Sequence, residues 1–277
     1  MEHNSIPLIF FHVGKAGGSS LRDILKRYYN KENVYTISSK NNKKAEREFT
    51  ELSPAELAGI KLLMGHMHFG LHEYFPGADA KYFTFLRHPV SRLISSYEYA
   101  KRHPFHQAHK KFSKANLTFE ESLGFMTFNR VTMQLAGVQD KKIPCNDNFY
   151  NQAIENLERH FVFVGLMEKF NESVLLLAKT LDWTYVPPFM RKNVGNSDKT
   201  PVSQALKEKI AGLEYYDMKI YNYVKAKFDV TLELNSNYLE ETLPKYLQAN
   251  DQYKPTWNDH LLSLRDWLVQ SYGKLLR

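Results

Sequence analysis

The chain has 277 residues, a formal net charge of +7 and a single cysteine, Cys145. This length can bury a substantial core and no Pro-, Gly- or Ser-rich linker interrupts it. We therefore expect one domain over residues 1–277, with a helical part near 200–277. One cysteine excludes an intrachain disulfide, and no apolar run reaches the length of a membrane span. The positive charge suits an anionic ligand.

The first predicted element is a strand over 6–13 that runs into a loop of small residues, namely Gly14, Ala16, Gly17 and Gly18. Small side chains allow backbone amides to approach a phosphate oxygen, and Lys15 adds a positive charge. We expect Ser19 and Ser20 to cap a helix over 19–29, whose first amides favour an anion. The spacing differs from a Walker A loop because the lysine precedes the paired glycines, which disfavours an ATP or GTP hydrolase.

A second strand, predicted over 81–86, ends at Arg87 and continues into a helix over 90–102. Pro89 fits the first turn of that helix. Because ligands collect at the carboxyl ends of parallel strands, we expect Lys15 and Arg87 to face one ligand from two sides. Two phosphate-recognition elements indicate a ligand with two separated phosphate groups.

The remaining predicted elements alternate between strands and helices, which indicates an α/β fold with a parallel sheet. They are a polar helical region over 44–58, a strand over 60–65, helices near 117–136 and 148–159, a strand over 161–165, helices over 169–180 and 203–227, and an amphipathic helix near 257–275.

Two motifs carry a specific resemblance. The loop from His12 to Leu21 resembles the 5′-phosphosulfate loop of sulfotransferases related to the heparan sulfate 2-O- and 6-O-enzymes. The run Phe85-Leu86-Arg87-His88-Pro89-Val90-Ser91-Arg92, together with Ser95, is similar to their 3′-phosphate motif, in which aspartate is more common at the position of His88. Segments near 65–73, 129–137 and 163–173 resemble further family segments in the same order, so the resemblance covers most of the chain.

This resemblance implies a P-loop-like three-layer sandwich with a central parallel sheet and peripheral helices. It also implies a metal-free reaction that uses 3′-phosphoadenosine 5′-phosphosulfate (PAPS) as the sulfonate donor. Lys15 would stabilise the leaving group. The resemblance assigns the 5′-phosphate to the loop Ala16, Gly17, Gly18, Ser19 and Ser20, the 3′-phosphate to Arg87 and Ser95, and a loop that closes over the nucleotide to Lys192 and Asn193.

Sulfonate transfer to a hydroxyl needs a base, and histidine is apt because its unperturbed pKa lies near neutrality. His66, His68 and His72 crowd into seven residues between the two phosphate motifs. Gly65-His66 resembles the 2-O pattern and Gly70-Leu71-His72 the 6-O pattern, so His66 and His72 are the two catalytic candidates, ahead of His68. A metal bound by this cluster is the weaker alternative, since no carboxylate has a compelling ligand spacing.

Two other functions remain open at this point. An ATP-dependent P-loop phosphotransferase would also use a lysine loop and arginines, but it needs magnesium and a Walker A loop. A non-enzymatic binder of nucleotide or sulfated glycan would keep the anion site without the chemistry.

The partners follow from the reaction expected. We expect the acceptor hydroxyl to belong to a carbohydrate, with a small metabolite as the alternative, and we expect no nucleic-acid partner. Because only a few polar residues precede the first strand, we expect a cytoplasmic protein. The sequence leaves the oligomeric state open.

Overall fold

We describe a computed structural model of the chain, in which residues 6–37, 42–104, 106, 108, 109, 112, 117–140, 142–190 and 202–254 are described. The five strands are β1 (Leu8–Phe11), β2 (Val34–Ile37), β3 (Leu62–Gly65), β4 (Lys81–Leu86) and β5 (Phe161–Leu166). They form one parallel sheet in the order β2-β3-β1-β4-β5.

The helices among these residues fill the connections and the C-terminal part. They are α1 (Gly18–Tyr28), α2 (Asn42–Thr50), α3 (Pro54–Ala58), α4 (Pro89–Arg102), α5 (Phe119–Ser122), α6 (Arg130–Leu135), α7 (Asp147–His160), α8 (Phe170–Thr180), α9 (Gln204–Leu213), α10 (Tyr215–Leu234) and α11 (Ser236–Gln252). Within the described part of the chain, no helix is both long and apolar enough to cross a membrane.

The strand order sets the layers. The connection from β1 to β2 runs in one direction across the sheet, whereas the later connections run in the other. Parallel crossovers are right-handed, so α1 covers one face and the later crossovers cover the opposite face. The predicted α/β sandwich with a central parallel sheet is therefore confirmed. The direction reverses between β1 and β4, and the crevice at their carboxyl ends is the expected ligand site of such a sheet.

Apolar strands hold the sheet in the core. Ile9, Phe10 and Phe11 of β1 and Tyr82 and Phe83 of β4 are almost wholly buried. Central strands covered on both faces need such continuous apolar runs, which the sequence supplies.

Several predicted boundaries need correction. The strand β2 was not predicted, and the polar region over 44–58 is two helices, α2 and α3. The helix predicted near 117–136 is broken, because Asn129 adopts a left-handed conformation with φ of 53° before α6. The helix predicted over 203–227 breaks at Glu214 and then runs on to Leu234.

The C-terminal prediction also needs revision. The helix α11 was not predicted and covers Ser236–Gln252 with Pro244 inside it. The helix predicted near 257–275 lies outside the described residues.

Candidate active site

The loop between β1 and α1 exposes backbone amides at the carboxyl edge of the sheet. Gly17, with φ of 78°, precedes the first turn of α1, and no side chain caps that turn. A Cβ on Gly17 would lie 2.5 Å from the Met167 sulfur, and one on Gly18 would overlap the imidazole of His12. This close packing explains why both positions are glycine. Because no side chain caps the first turn of α1, its first amides are available to an anion.

The predicted capping role of Ser19 and Ser20 is wrong. Gly17 occupies the cap position and α1 begins at Gly18, so both serines stand within the first helical turn. Their hydroxyls and amides still belong to the anion-binding end of the helix.

Lys15 is strained and surrounded by positive charge. Its φ of 68° lies in the left-handed region, a backbone conformation that residues other than glycine seldom adopt. Its ammonium lies 3.8 Å from the centre of the Tyr99 ring on α4. Burial, followed by the charges of Arg102 and Arg87, lowers the pKa of Lys15 to about 8. A negatively charged ligand would stabilise the ammonium of a lysine that is buried beside other positive charges, so Lys15 is suited to bind one.

Arg87 joins the second strand to this loop. It follows the last residue of β4, and its guanidinium donates a hydrogen bond to the Lys15 carbonyl oxygen over 3.2 Å. The half-buried Ser95 stands on α4, one helical turn before Tyr99, which the Lys15 ammonium contacts. The structure thus brings together the loop after β1 and the Arg87–Ser95 segment, although they are distant in sequence.

His66 lies beside the same loop. Its ring stacks on that of His12 with 4.1 Å between ring centres, and Phe10 stacks on His12 in turn. A Cβ on Gly14 would stand 3.8 Å from Cε1 of His66. Burial and the charges of Arg22 and Arg130 lower the pKa of His66 to about 4, so the imidazole is neutral at pH 7 and can accept a proton.

The other two candidate histidines lie elsewhere. The buried His68 donates its amide to Glu46 Oε1 over 3.2 Å, and its Nδ1 lies 3.2 Å from the same oxygen. Nδ1 of His72 is 3.2 Å from the Tyr82 hydroxyl, and its ring is 4.4 Å from that of His160. Tyr82 is the second residue of β4 and His160 immediately precedes β5, so His72 lies toward the opposite edge of the sheet, where these strands begin. The structure does not bring His72 to the Lys15 loop.

A buried ionic network supports the site from behind. Arg92, which the sequence places in the 3′-phosphate motif, instead contacts Glu214 at 2.8 Å and Asp217 at 3.1 Å. Asp217 also accepts hydrogen bonds from the amides of Val131 and Thr132 in the first turn of α6. The network therefore fixes α4 and α10 to the helix that begins with Arg130.

Some predicted residues cannot be located and some site residues were missed. Lys192 and Asn193 lie outside the described residues. His12, Arg22, Tyr99, Arg102 and Arg130 were not assigned to the site. Tyr99 and Arg102 follow Ser95 by four and seven residues on one helix, a spacing that signals a shared face. Within the described ranges, no three His, Cys, Asp or Glu side chains group as metal ligands would.

The fold and the site define a class of protein. A parallel sheet of order 2-3-1-4-5 is typical of a P-loop-like fold, and a loop of small residues with a lysine after β1 meets an arginine after β4 at its switch point, an arrangement that suits an anionic ligand.

The chain belongs to the galactose-3-O-sulfotransferase family, whose sequence model matches residues 2–248. The expected membership of a sulfotransferase family is thereby confirmed.

Relatives and solved structures are more distant. Human heparan-sulfate 6-O-sulfotransferase 2 is 29% identical over 70 residues, which make up 25% of this chain and 12% of that protein. The chicken enzyme of the same name is 29% identical over 83 residues, 30% of this chain and 20% of that one. The matches therefore span a small part of these longer relatives.

Two solved sulfotransferase structures are similar to the chain. Mouse SULT7A1 complexed with PAP has a TM-score of 0.37 and 12% identity, with 78% of this chain and 65% of that one covered. A sulfotransferase from Alicyclobacillus acidocaldarius has a TM-score of 0.42 and 16% identity, with 76% and 92% covered.

Proposed function

We propose that this protein transfers a sulfonate group from PAPS to a hydroxyl of a carbohydrate acceptor. The observation that carries the proposal is the meeting of the Lys15 loop with Arg87 at the switch point of the sheet, joined by the hydrogen bond from Arg87 to the Lys15 carbonyl. Membership of the galactose-3-O-sulfotransferase family supports both the donor and the sugar acceptor.

The residues present fit the donor. The uncapped first turn of α1, with Ser19 and Ser20, offers amide and hydroxyl donors to the 5′-phosphate, and the absence of a side chain on Gly18 lets this turn pack directly against His12. Arg87 and Ser95 would hold the 3′-phosphate. PAPS supplies an activated sulfonate group, so the protein has to bind, orient and balance charge.

Lys15 supplies the charge on the leaving side. Because the pKa of Lys15 is about 8, about nine-tenths of its side chains are in the ammonium form at pH 7. A nearby phosphate raises that fraction further, because an opposite charge favours the charged form. The ammonium would stabilise the negative charge that develops on the phosphate oxygen as the sulfonate leaves.

His66 is the base in this proposal. Its neutral imidazole would take the proton from the acceptor hydroxyl as that oxygen attacks the sulfur in line. With a pKa near 4, His66 is a weak base in the free protein. An anionic donor beside the imidazole would raise that pKa toward neutrality. Lys192 and Asn193 remain proposed nucleotide contacts on the strength of the family resemblance.

Calorimetric titration separates this function from an ATP-dependent phosphotransferase. We expect 3′,5′-ADP to bind without magnesium and at least tenfold more tightly than 5′-ADP, because only the former has a phosphate for Arg87 and Ser95. Tighter binding of 5′-ADP with magnesium would contradict the proposal. Product formation from PAPS then separates an enzyme from a non-enzymatic binder.

We also propose a cytoplasmic location. It is supported by the single cysteine, Cys145, which suits a reducing compartment. Fractionation of the source cells with an antibody to the protein would test it, and a secreted or membrane-pelleted pool would contradict it.

A further inference from the structure

The ammonium of Lys15, the proposed stabiliser of the leaving group, rests on the face of an aromatic ring. Its Nζ lies 3.8 Å from the centre of the Tyr99 ring. Within the described ranges, Lys15 takes part in no salt bridge. The negative charge of Glu98 acts on it more weakly than the positive charges of Arg102 and Arg87 do. The group that holds this ammonium is therefore a neutral ring.

The Tyr99 ring is itself fixed from behind. His103, which follows the last residue of α4, stacks on it with 3.7 Å between the ring centres and 22° between the planes. Because the Lys15 ammonium and this imidazole both lie over the ring centre, they occupy opposite faces of the ring. His106 meets the ring at an angle of 88°, with 5.7 Å between the ring centres. These contacts leave the Tyr99 ring little freedom to turn.

The backbone of Lys15 is held by the same part of the chain as its side chain. Its carbonyl oxygen accepts the hydrogen bond from Arg87 at the end of β4, which supports the left-handed conformation of this residue. Tyr99 belongs to α4, the helix that follows Arg87, and stands one turn after Ser95. The residues proposed for the 3′-phosphate and the ring under the ammonium thus belong to one strand-to-helix unit. The ammonium is placed relative to the donor before the donor binds.

A ring face suits this position better than a carboxylate would. A carboxylate would neutralise the ammonium, and the resulting buried ion pair would have to break before the lysine could meet an anionic donor. The face of an aromatic ring attracts a cation through its quadrupole and leaves the positive charge intact. A phosphate oxygen, which carries negative charge, can then draw the ammonium off the ring.

We infer that Tyr99 is a positioning residue for the proposed reaction: its ring holds the Lys15 ammonium beside the donor site and yields it to the phosphate oxygen from which the sulfonate leaves. This role rests on the proposed function and adds to it a residue that the family resemblance does not supply. His103 would act one step further back, by holding the ring.

Fluorination of the ring tests the contact in the free protein, without turnover. Fluorine withdraws electrons from an aromatic face and changes its volume little, so mono-, di- and trifluorophenylalanine at position 99 weaken the attraction stepwise from its strength in Tyr99→Phe. Competitive acetylation reads the pKa of Lys15, which is about 8 in the wild type. We expect this pKa to fall with each fluorine, by about half a unit in all, which is about a threefold change in the ratio of ammonium to amine. A flat series would overturn the inference.

The same series at Tyr150 is the matched control. Tyr150 lies on α7, and its ring centre is 3.9 Å from Nζ of a different lysine, Lys219. The pKa of Lys15 should stay constant in that series. A parallel fall would mean that fluorination acts through the whole fold rather than through the Tyr99 contact, and it would overturn the inference.

Turnover tests whether the reaction uses the contact. With phenyl β-D-galactoside as acceptor, Tyr99→Leu should lower kcat/KM for PAPS about tenfold, whereas Tyr99→Phe, which keeps a ring, should stay within about twofold of the wild type. Both variants should still bind 3′,5′-ADP in calorimetry, because Arg87 and Ser95 are intact. An unchanged kcat/KM in Tyr99→Leu would overturn the role of the ring.

The two readouts separate failure of this inference from failure of the proposed function. A pKa of Lys15 that follows the number of fluorines, with no transfer from PAPS even by the wild type, would uphold the contact and reject the sulfotransferase reaction. Transfer by the wild type together with a flat fluorine series would reject the inference alone.

Discussion

The protonation of Lys15 sets the upper pH limit of the proposed reaction. Burial, Arg102 and Arg87 bring the pKa of Lys15 down to about 8 from the usual 10.5. Since only the ammonium form stabilises the leaving oxygen, kcat/KM falls as the pH rises through about 8. About one tenth of the ammonium remains at pH 9, which predicts kcat/KM about tenfold below its value at pH 7.

Two substitutions should move this midpoint in opposite directions. The exposed Arg102 lowers the pKa of Lys15 and Glu98 raises it. Arg102→Gln should therefore shift the midpoint to higher pH and Glu98→Gln to lower pH. We expect a displacement of about half a pH unit, which corresponds to about 0.7 kcal/mol of charge interaction, the size typical of a solvent-screened charge.

The assay is kcat/KM for PAPS between pH 6 and pH 10 at a fixed concentration of a galactoside acceptor, because this constant reports Lys15 before the donor phosphates raise its pKa. Arg159→Gln on α7 is the control, because that arginine is exposed and pairs with Glu155 on its own helix. Competitive acetylation of Lys15, followed by mass spectrometry, reads its pKa in the free protein without turnover. A flat profile above pH 8, or equal midpoints in Arg102→Gln and Glu98→Gln, would refute the reasoning.

Further predictions concern the loop, the histidines and the buried network. Gly18→Ala should weaken binding of 3′,5′-ADP at least tenfold by calorimetry, because its methyl group overlaps the His12 ring; unchanged binding would contradict the loop assignment. His66→Ala should lower kcat about 10²- to 10⁴-fold with donor binding retained. His72→Ala should lower the melting temperature with kcat largely kept, and the reverse pattern would exchange their roles. The pKa of His66 lies below its unfolded value of 6.5, so its contribution to the unfolding free energy is lost as the pH falls from 6.5 to about 4; urea titrations of the wild type and His66→Phe should diverge over that window. Asp217→Asn should cost about 3 kcal/mol in the same titrations, because it weakens the pairing of the buried Arg92.

Much of the sheet was predictable because each central strand is a continuous apolar run. The strand β4 matches its prediction residue for residue, since it begins at the half-buried Lys81, continues through five buried residues and is followed by Arg87. The edge strand β2 escaped prediction because it has four residues, only one of them fully buried, and follows a polar turn. Its pairing with β3 comes from the tertiary structure rather than from its own pattern.

Helix breaks were less predictable than helices. Asn129 interrupts a predicted helix with a left-handed conformation, and its side-chain oxygen accepts the amides of Tyr216 and Asp217, which are far away in sequence. Long-range contacts of this kind override local helix propensity.

The positions of the loop after β1 and of Arg87 could be predicted because each follows a recognisable strand. The pairing of His12 with His66 could not, since it depends on the register of two strands. The structure pairs Phe11 of β1 with Gly65 of β3, which sets the following residues side by side. Three histidines close together in sequence thus separate into His66 beside the candidate site, His68 in contact with Glu46, and His72 at the far edge of the sheet.

The most direct test of the central claim is sulfonate transfer from radiolabelled PAPS to phenyl β-D-galactoside, measured for the wild type and for Lys15→Met. We predict a sulfonated galactoside with the wild type and a loss of at least 10²-fold in its rate of formation with Lys15→Met, while both proteins show the same thermal melting. Equal transfer by the two proteins, or no sulfonated product from a wild-type protein that binds 3′,5′-ADP and this glycoside, would contradict the account.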